Sequence, residues 1–235
     1  MNANLNDSQR GTSLIELLVV LVIISIGATI SLFAFAGHRK AYNTEDQALQ
    51  VLDILQKAKQ FSITKRRTMR VEVNLDRNVV RLIDENQPNS AGDDQEIASL
   101  VLRDASLVKI GNNSVISSRP TNVSLAPPQS SPCPDALYKP SVHPSSVGQN
   151  TFTLRFMRNG SVTSAGVDAI GTNSIVSGAT LYVWEPAAAD ANQAKDLALV
   201  RAITVGGISG SIQYWKHETT NTGGIANSGW RNNYR

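Results

Sequence analysis

Leu17 to Ala36 is a run of twenty residues without a charge, interrupted in polarity only by Ser25, Thr29 and Ser31. At ~1.5 Å of rise per residue it is long enough to cross the ~30 Å hydrocarbon core of a bilayer. The pattern therefore predicts a membrane-spanning helix. A buried core helix is the first alternative, and it conflicts with a run that is apolar on every face. A secretory signal is the second, because Ala34-Phe35-Ala36 offers a small-x-small cleavage site ahead of Gly37. The run is longer than the usual hydrophobic stretch of such a signal, and Glu16 precedes it where a signal carries positive charge. Beyond the run, "HRKAYNTEDQALQVLDILQKAKQFSITK" places Ala48, Leu52 and Leu55, then Val51, Ile54, Ala58 and Phe61, at three- and four-residue intervals. This predicts that the helix continues, now amphipathic, to Thr64, with Glu45, Asp46, Asp53, Lys57 and Lys59 largely between the apolar positions.

The period then changes from helical to alternating. "TMRVEVNLDRNVVRLI" reads as a β-hairpin, Thr68 to Leu75 with Val79 to Ile83, turning at Asp76 to Asn78. A polar Gly/Asp-rich loop runs through Asp94, and short strands are expected at Ala98 to Leu102, Leu107 to Ile110 and Ser114 to Ser117. Seven of the nine prolines lie between Pro120 and Pro144, which predicts an extended surface loop with little strand pairing. The last third holds "TFTLRFMRNGSVTSAG", "ATLYVWEP" and "ALVRAITVGGISGSIQYW", three alternating segments with Asn-Gly and Gly-Gly turn signals, expected as antiparallel strands.

Glu16 is the awkward residue. An ionised carboxylate in or near hydrocarbon costs at least ~2.5 kcal/mol unless it is partnered or reaches water. No cation follows it until His38 and Arg39. If the chain were cut after Gly11, the new α-amino group on Thr12 would supply one at about the level of Glu16. "RGTSLIELLVVLVIISIG" resembles the class III signal of type IV pilins and pseudopilins: a short polar leader ending in Gly, a cut, and a hydrophobic helix with Glu at the fifth mature position. The resemblance implies cleavage between Gly11 and Thr12 by a prepilin peptidase, N-methylation of Thr12, and pairing of Glu16 with a neighbouring subunit during assembly. Thr12 departs from the family's usual Phe or Met. The order of elements, with "TLRFMRNGSVT" and "VRAITVGGISGSIQYW", resembles the GspH/FimT-like minor pseudopilins, for which the Pro-rich loop is an insertion.

The resemblance implies an α+β fold, a long N-terminal helix packed on the antiparallel β-sheets of a C-terminal globular domain. Its divisions are a leader at 1–11, a helix at 12–64 (hydrophobic and transmembrane at 12–36, amphipathic at 37–64) and a β-rich domain at 65–235 with the Pro/Ser-rich loop at about 119–150. It implies a structural subunit of a type IV pilus or type II secretion pseudopilus, passing once through the bacterial inner membrane with its C-terminal domain in the periplasm before joining the filament. The partners implied are other pilins or pseudopilins, the prepilin peptidase and methyltransferase, and an inner-membrane assembly platform.

Composition adds exclusions. A single cysteine, Cys133, rules out an intramolecular disulfide and a Cys-rich zinc site. His38, His143 and His217 share no metal-binding spacing, and "GGISGS" fails the GxSxG pattern because Ser211 stands where the last glycine belongs. No catalysis, cofactor or metal is expected, although "GDD" at Gly92 to Asp94 is a conceivable cation ligand set. The net charge of +3 is too mild to argue for nucleic acid. Local clusters say more: Lys65, Arg66, Arg67 and Arg70 form one, and Lys216, Trp230, Arg231 and Arg235 mix bases with aromatics, the residue types that single-strand binding uses. The tail loosely resembles the basic motif of DNA-binding FimT-like pilins. A minor pilin that binds DNA for natural transformation is therefore the alternative function, with solvation of a corner and a flexible tail as its plain counterpart.

Overall fold

A computed structural model describes residues 14–74, 76–85, 94–102, 109–112, 119–127, 139–140, 149–164, 166, 171–222 and 225–232, with backbone alone at 30, 32–43, 109–112, 139–140, 150, 220–222 and 225–228. The fold is α+β, with an N-terminal helix and antiparallel sheets. Helix α1 spans Leu14–Thr64. The chain divides into two compact units, Met1–Tyr42 and Asn43–Arg235.

In the first unit, α1 exposes apolar side chains all round, from Leu14 through Ile26, none of them less than 48% exposed. Its hydroxyls turn inward on the helix itself. Ser25 Oγ donates to the Leu21 carbonyl (2.7 Å), Thr29 Oγ1 to Ser25 (2.7 Å) and Ser31 Oγ to Gly27 (2.8 Å). Among the described residues no helix is long and apolar enough to cross a membrane. Side chains of the predicted Leu17 to Ala36 span are described only as far as residue 29 and at 31.

In the second unit the amphipathic half of α1 is a core element. Ala48, Val51, Leu52, Ile54, Leu55 and Ala58 are at most 6% exposed and pack with the inner faces of two sheets. The first sheet contains β1 (Thr68–Asn74), β2 (Val79–Glu85), β3 (Gln95–Val101), β5 (Lys139–Pro140) and β6 (Asn150–Phe156) in the order β3-β2-β1-β6-β5, with β7 (Val162–Thr163) also on β6. The second contains β4 (Lys109–Asn112), β8 (Ala179–Trp184), β9 (Arg201–Val205), β10 (Ile212–Thr222) and β11 (Ile225–Asn232) in the order β11-β10-β9-β8-β4. Alternation decides which residues meet the helix: Met69, Val71 and Val73 of β1, Phe152, Leu154 and Phe156 of β6, Leu181 and Val183 of β8, and Ile203 and Val205 of β9. The predicted hairpin is present, and its turn is made by Asn78 in the left-handed region (φ 51).

The helix stops where Arg66 adopts a left-handed conformation (φ 54), a position that glycine usually fills. For a residue with a Cβ this costs roughly 1–2 kcal/mol. Arg66→Gly is accordingly expected to raise stability by about 0.5–1 kcal/mol in urea unfolding, the gain being reduced by glycine's greater freedom when unfolded.

Of the proline-rich segment expected as a surface loop, only residues 119–127 and 139–140 are described, and these pack against or pair with the sheets. Pro120, Val123 and Ala126 are buried, the last two against the second sheet, and Lys139–Pro140 forms an edge strand on β6. Proline is tolerated there because an edge strand leaves one row of N–H groups unused. The expected strand at Ser114 to Ser117, the loop at 86–93 and Cys133 lie outside the described residues.

Candidate functional site

The residues singled out by sequence fall in separate places. Gly11, Thr12 and Arg235 lie outside the described residues. Glu16 stands exposed in the first turn of α1, where the helix dipole favours a carboxylate. Among the described residues it is the one acid on an exposed, mainly Leu, Ile and Val surface.

Apart from Arg66, which stands exposed at the end of α1, the described basic residues of the two clusters are engaged with carboxylates. Lys65 Nζ lies 3.2 Å from Asp84 Oδ2 and over the Phe61 ring, and Arg67 reaches the same oxygen at 3.8 Å. Lys216 Nζ is 2.6 Å from Glu45 Oε1, while Arg201 Nη2 is 2.7 Å from Glu45 Oε2. Burial pushes the Glu45 carboxyl up, but the hydrogen bonds and charges of Lys216 and Arg201 outweigh it and hold the group below its ordinary value. Arg231 is exposed and pairs with Glu218 at 3.2 Å. The two clusters are not brought together. Lys216 is tied to Glu45 and Lys65 ends the same helix twenty residues later, which at 1.5 Å per residue separates their anchor points by roughly 30 Å.

Arg70 belongs to neither surface. It is fully buried on the face of the first sheet that points away from α1, with Nη1 donating to Glu85 Oε1 (2.8 Å) and Nη2 to Asp94 Oδ2 (2.7 Å). Arg155, opposite it on β6, donates to Glu85 Oε2 at 2.6 Å. Glu72 and Arg81 pair across the neighbouring rung, with Glu96 on the other side of Arg81. Alternation alone assigns these charges to a solvated face, yet the face is buried, and opposite charges sit across the strands to neutralise one another. Burial pushes Glu85 above its ordinary value, against the pull of Arg155 and Arg70. The Asp94 oxygen nearest Arg70 is committed to it, which removes that oxygen from the cation ligand set conceived at Gly92 to Asp94.

The aromatics meet on the outer face of the second sheet, a grouping the sequence did not reveal. Tyr182 and Trp184 are buried there with Val123, Ala126, Ala194, Val200 and Ala202, and Trp215 and Trp230 pack against them. All three tryptophans of the chain are in this second core. Trp230 Nε1 donates to the Ser124 carbonyl (3.2 Å), and its ring lies 5.0 Å, edge to face, from the imidazole of His217. The available signal was the spacing Tyr182-x-Trp184 and Trp215-x-His217, which puts each pair on one face of a strand.

Among the described residues no three His, Cys, Asp or Glu side chains group to hold a metal ion. An open depression of about 380 Å³ lined by Gln56, Lys59, Gln60, Ile63 and Ile212 holds no paired acid and base. Residues 6–32 match the family model described as the prokaryotic N-terminal methylation motif, a prepilin-type signal. No curated protein and no solved structure matches the chain.

Proposed function

We propose that the chain is a structural minor pilin or pseudopilin, a subunit of a type IV pilus or a type II secretion pseudopilus, of the GspH/FimT-like kind. It is made with a leader at 1–11, cut between Gly11 and Thr12 by a prepilin peptidase and methylated on Thr12. The Leu17 to Ala36 segment holds it in the inner membrane, with Asn43–Arg235 in the periplasm, until the assembly platform packs that segment against like helices. The observation that carries this reading is the exposed first half of α1: apolar on every side, with its hydroxyls bonded to its own carbonyls and a single carboxylate in its first turn. Hydroxyls satisfied within the helix need no water, which suits both a lipid environment and a bundle of helices. The matching prepilin-type signal supports the same reading, as does the order of a long helix followed by two antiparallel sheets.

Glu16 then has a defined task. Against like helices its carboxylate requires a cation, and the ammonium of a neighbour's Thr12 is supplied by the cut. Such a pair fixes axial stagger more than it adds stability.

Mass spectrometry of the mature N-terminus, in cells with and without a prepilin peptidase, tests the reading. A methylated Thr12 start that depends on the peptidase is expected; an uncut chain or a start at Gly37 overturns it. Glu16→Ala is expected to leave cutting intact while lowering filament incorporation about tenfold or more, the factor that ~1.4 kcal/mol of lost pairing corresponds to. Incorporation at the normal level refutes the pairing.

A further inference from the structure

The outer face of the second sheet is closed by a strap, residues 119–127. Thr121 N donates to the Asn192 carbonyl (2.9 Å), and Asn122 and Ala194 exchange a reciprocal pair of bonds, both 2.9 Å. Ala126 N donates to the Tyr182 hydroxyl (3.0 Å), and the Ser124 carbonyl accepts from Trp230. Val123 and Ala126 are the apolar feet of the strap, 3% and 0% exposed.

Beneath this arrangement sits His217, 1% exposed, directly opposite Trp230 in the β10–β11 register. Neither Nδ1 nor Nε2 makes a well-formed hydrogen bond, and the Leu197 carbonyl is the backbone acceptor beside the ring. Its backbone N–H is bonded to the Val200 carbonyl, which ties this position of β10 to the end of the segment before β9. Charges on the surrounding elements are engaged elsewhere. On β10, Lys216 and Glu218 point to the opposite face and pair with Glu45 and Arg231. Before β9, Lys195 pairs with Glu185 and the Asp196 carboxylate caps Ala198 N. On β9, Arg201 pairs with Glu45. On the strap, Arg119 donates to the Val123 carbonyl. Tyr182, on β8, is held neutral by burial. Among the described residues a proton arriving on His217 therefore meets aromatic and aliphatic groups and the Leu197 carbonyl but no counter-charge, an arrangement in which a buried ion is costly.

We propose that His217 is an acid-sensitive latch: protonation of its imidazole drives Trp230 off the sheet and releases the 119–127 strap, uncovering the tryptophan-lined face. The route is short, because Trp230 touches the imidazole on one side and holds Ser124 on the other. The latch is independent of the assembly role argued above.

Burial holds the His217 pKa below the ordinary histidine value of 6.5, with the Leu197 carbonyl opposing the shift. The closed form thus binds fewer protons than the open one. Closure is at full strength above about pH 6.5 and weakens as pH falls from there to the depressed value, by up to about tenfold per pH unit. Glu45, whose carboxyl is held down by its partners, loses its contribution only at lower pH, below the ordinary carboxylate range.

The test is hydrogen exchange of the Thr121 and Ala126 amides, with tryptophan emission, in the full chain in detergent micelles from pH 7.5 to 5.0, each rate corrected for intrinsic exchange. The wild type is expected to lose protection of both amides below about pH 6.5, by up to about tenfold per pH unit, with red-shifted emission. His217→Phe, which keeps an apolar ring, is expected to hold both constant. Equal loss in His217→Phe, or none in the wild type, overturns the latch. If His217→Phe fails to fold, the wild-type imidazole resonance is followed by NMR: a midpoint shared with Ala126 exchange supports the latch, and separate midpoints overturn it.

Discussion

Arg70→Met lowers the unfolding free energy of the Asn43–Arg235 unit by about 3–5 kcal/mol, the cost of removing one partner from a buried ion pair. Urea unfolding followed by tryptophan emission measures it, since all three tryptophans lie in that unit. Arg70 and Arg155 face Glu85 and Asp94, so two positive groups neutralise two negative ones in a layer where none is more than 9% exposed. Methionine fills a similar volume but leaves Asp94 without its 2.7 Å donor and Glu85 with one guanidinium instead of two. Adding Glu85→Gln removes part of the surplus negative charge, so the double variant is expected to lose less than the sum of the two single losses. A loss below about 1 kcal/mol, the ordinary worth of an exposed pair, would show that water reaches this layer. The result also separates stability from nucleic-acid binding, since Arg70 acts here with no DNA present.

Trp184→Ala is expected to cost about 3–5 kcal/mol, the range for truncating a large buried aromatic. Trp184 is 1% exposed, yet it faces away from α1 and owes its burial to the strap and to the segment that leads into β9. The expected loss therefore measures the second core alone. Trp215→Ala, at a half-buried site on the same face, is expected to cost less. Equal costs at the two positions would mean that the strap excludes no water. Limited proteolysis offers a second reading, since the Trp184 variant should become sensitive within 119–127 before the helix-side core is lost.

Periodicity made much of this fold legible. The switch from helical to alternating spacing near Thr64 gave the end of α1, and Val71, Val73, Leu82 and the Asn78 turn gave the hairpin. What periodicity could not give was the fate of the opposite faces. Arg70, Glu72 and Arg155 look like solvated residues until cross-strand pairing sets them against Glu85, Arg81 and one another, information held in register rather than in any one segment. The aromatics show the same limit: "YWKH" reads as bases mixed with aromatic rings, and only a strand's alternation sends its neighbours to opposite faces. Trp215 and His217 therefore go under the strap, while Lys216 goes to Glu45. At the N-terminus the prepilin-type signal at residues 6–32 is legible because it is linear, depending on order along the chain and not on contacts between distant segments.

Glu45 has its partner Arg201 across 156 positions of sequence. In a chain made from its N-terminus, the apolar stripe of Ala48 to Ala58 emerges long before β8, β9 and β10 exist to cover it. Folding of the second unit thus waits on its last strands, a high-contact-order topology that is completed slowly. During that wait the stripe is open to chaperones, proteases and like chains. The second sheet matters here as a matter of timing: a chain that stops before β8 presents a finished helix with half a core, and clearance competes with folding from the outset.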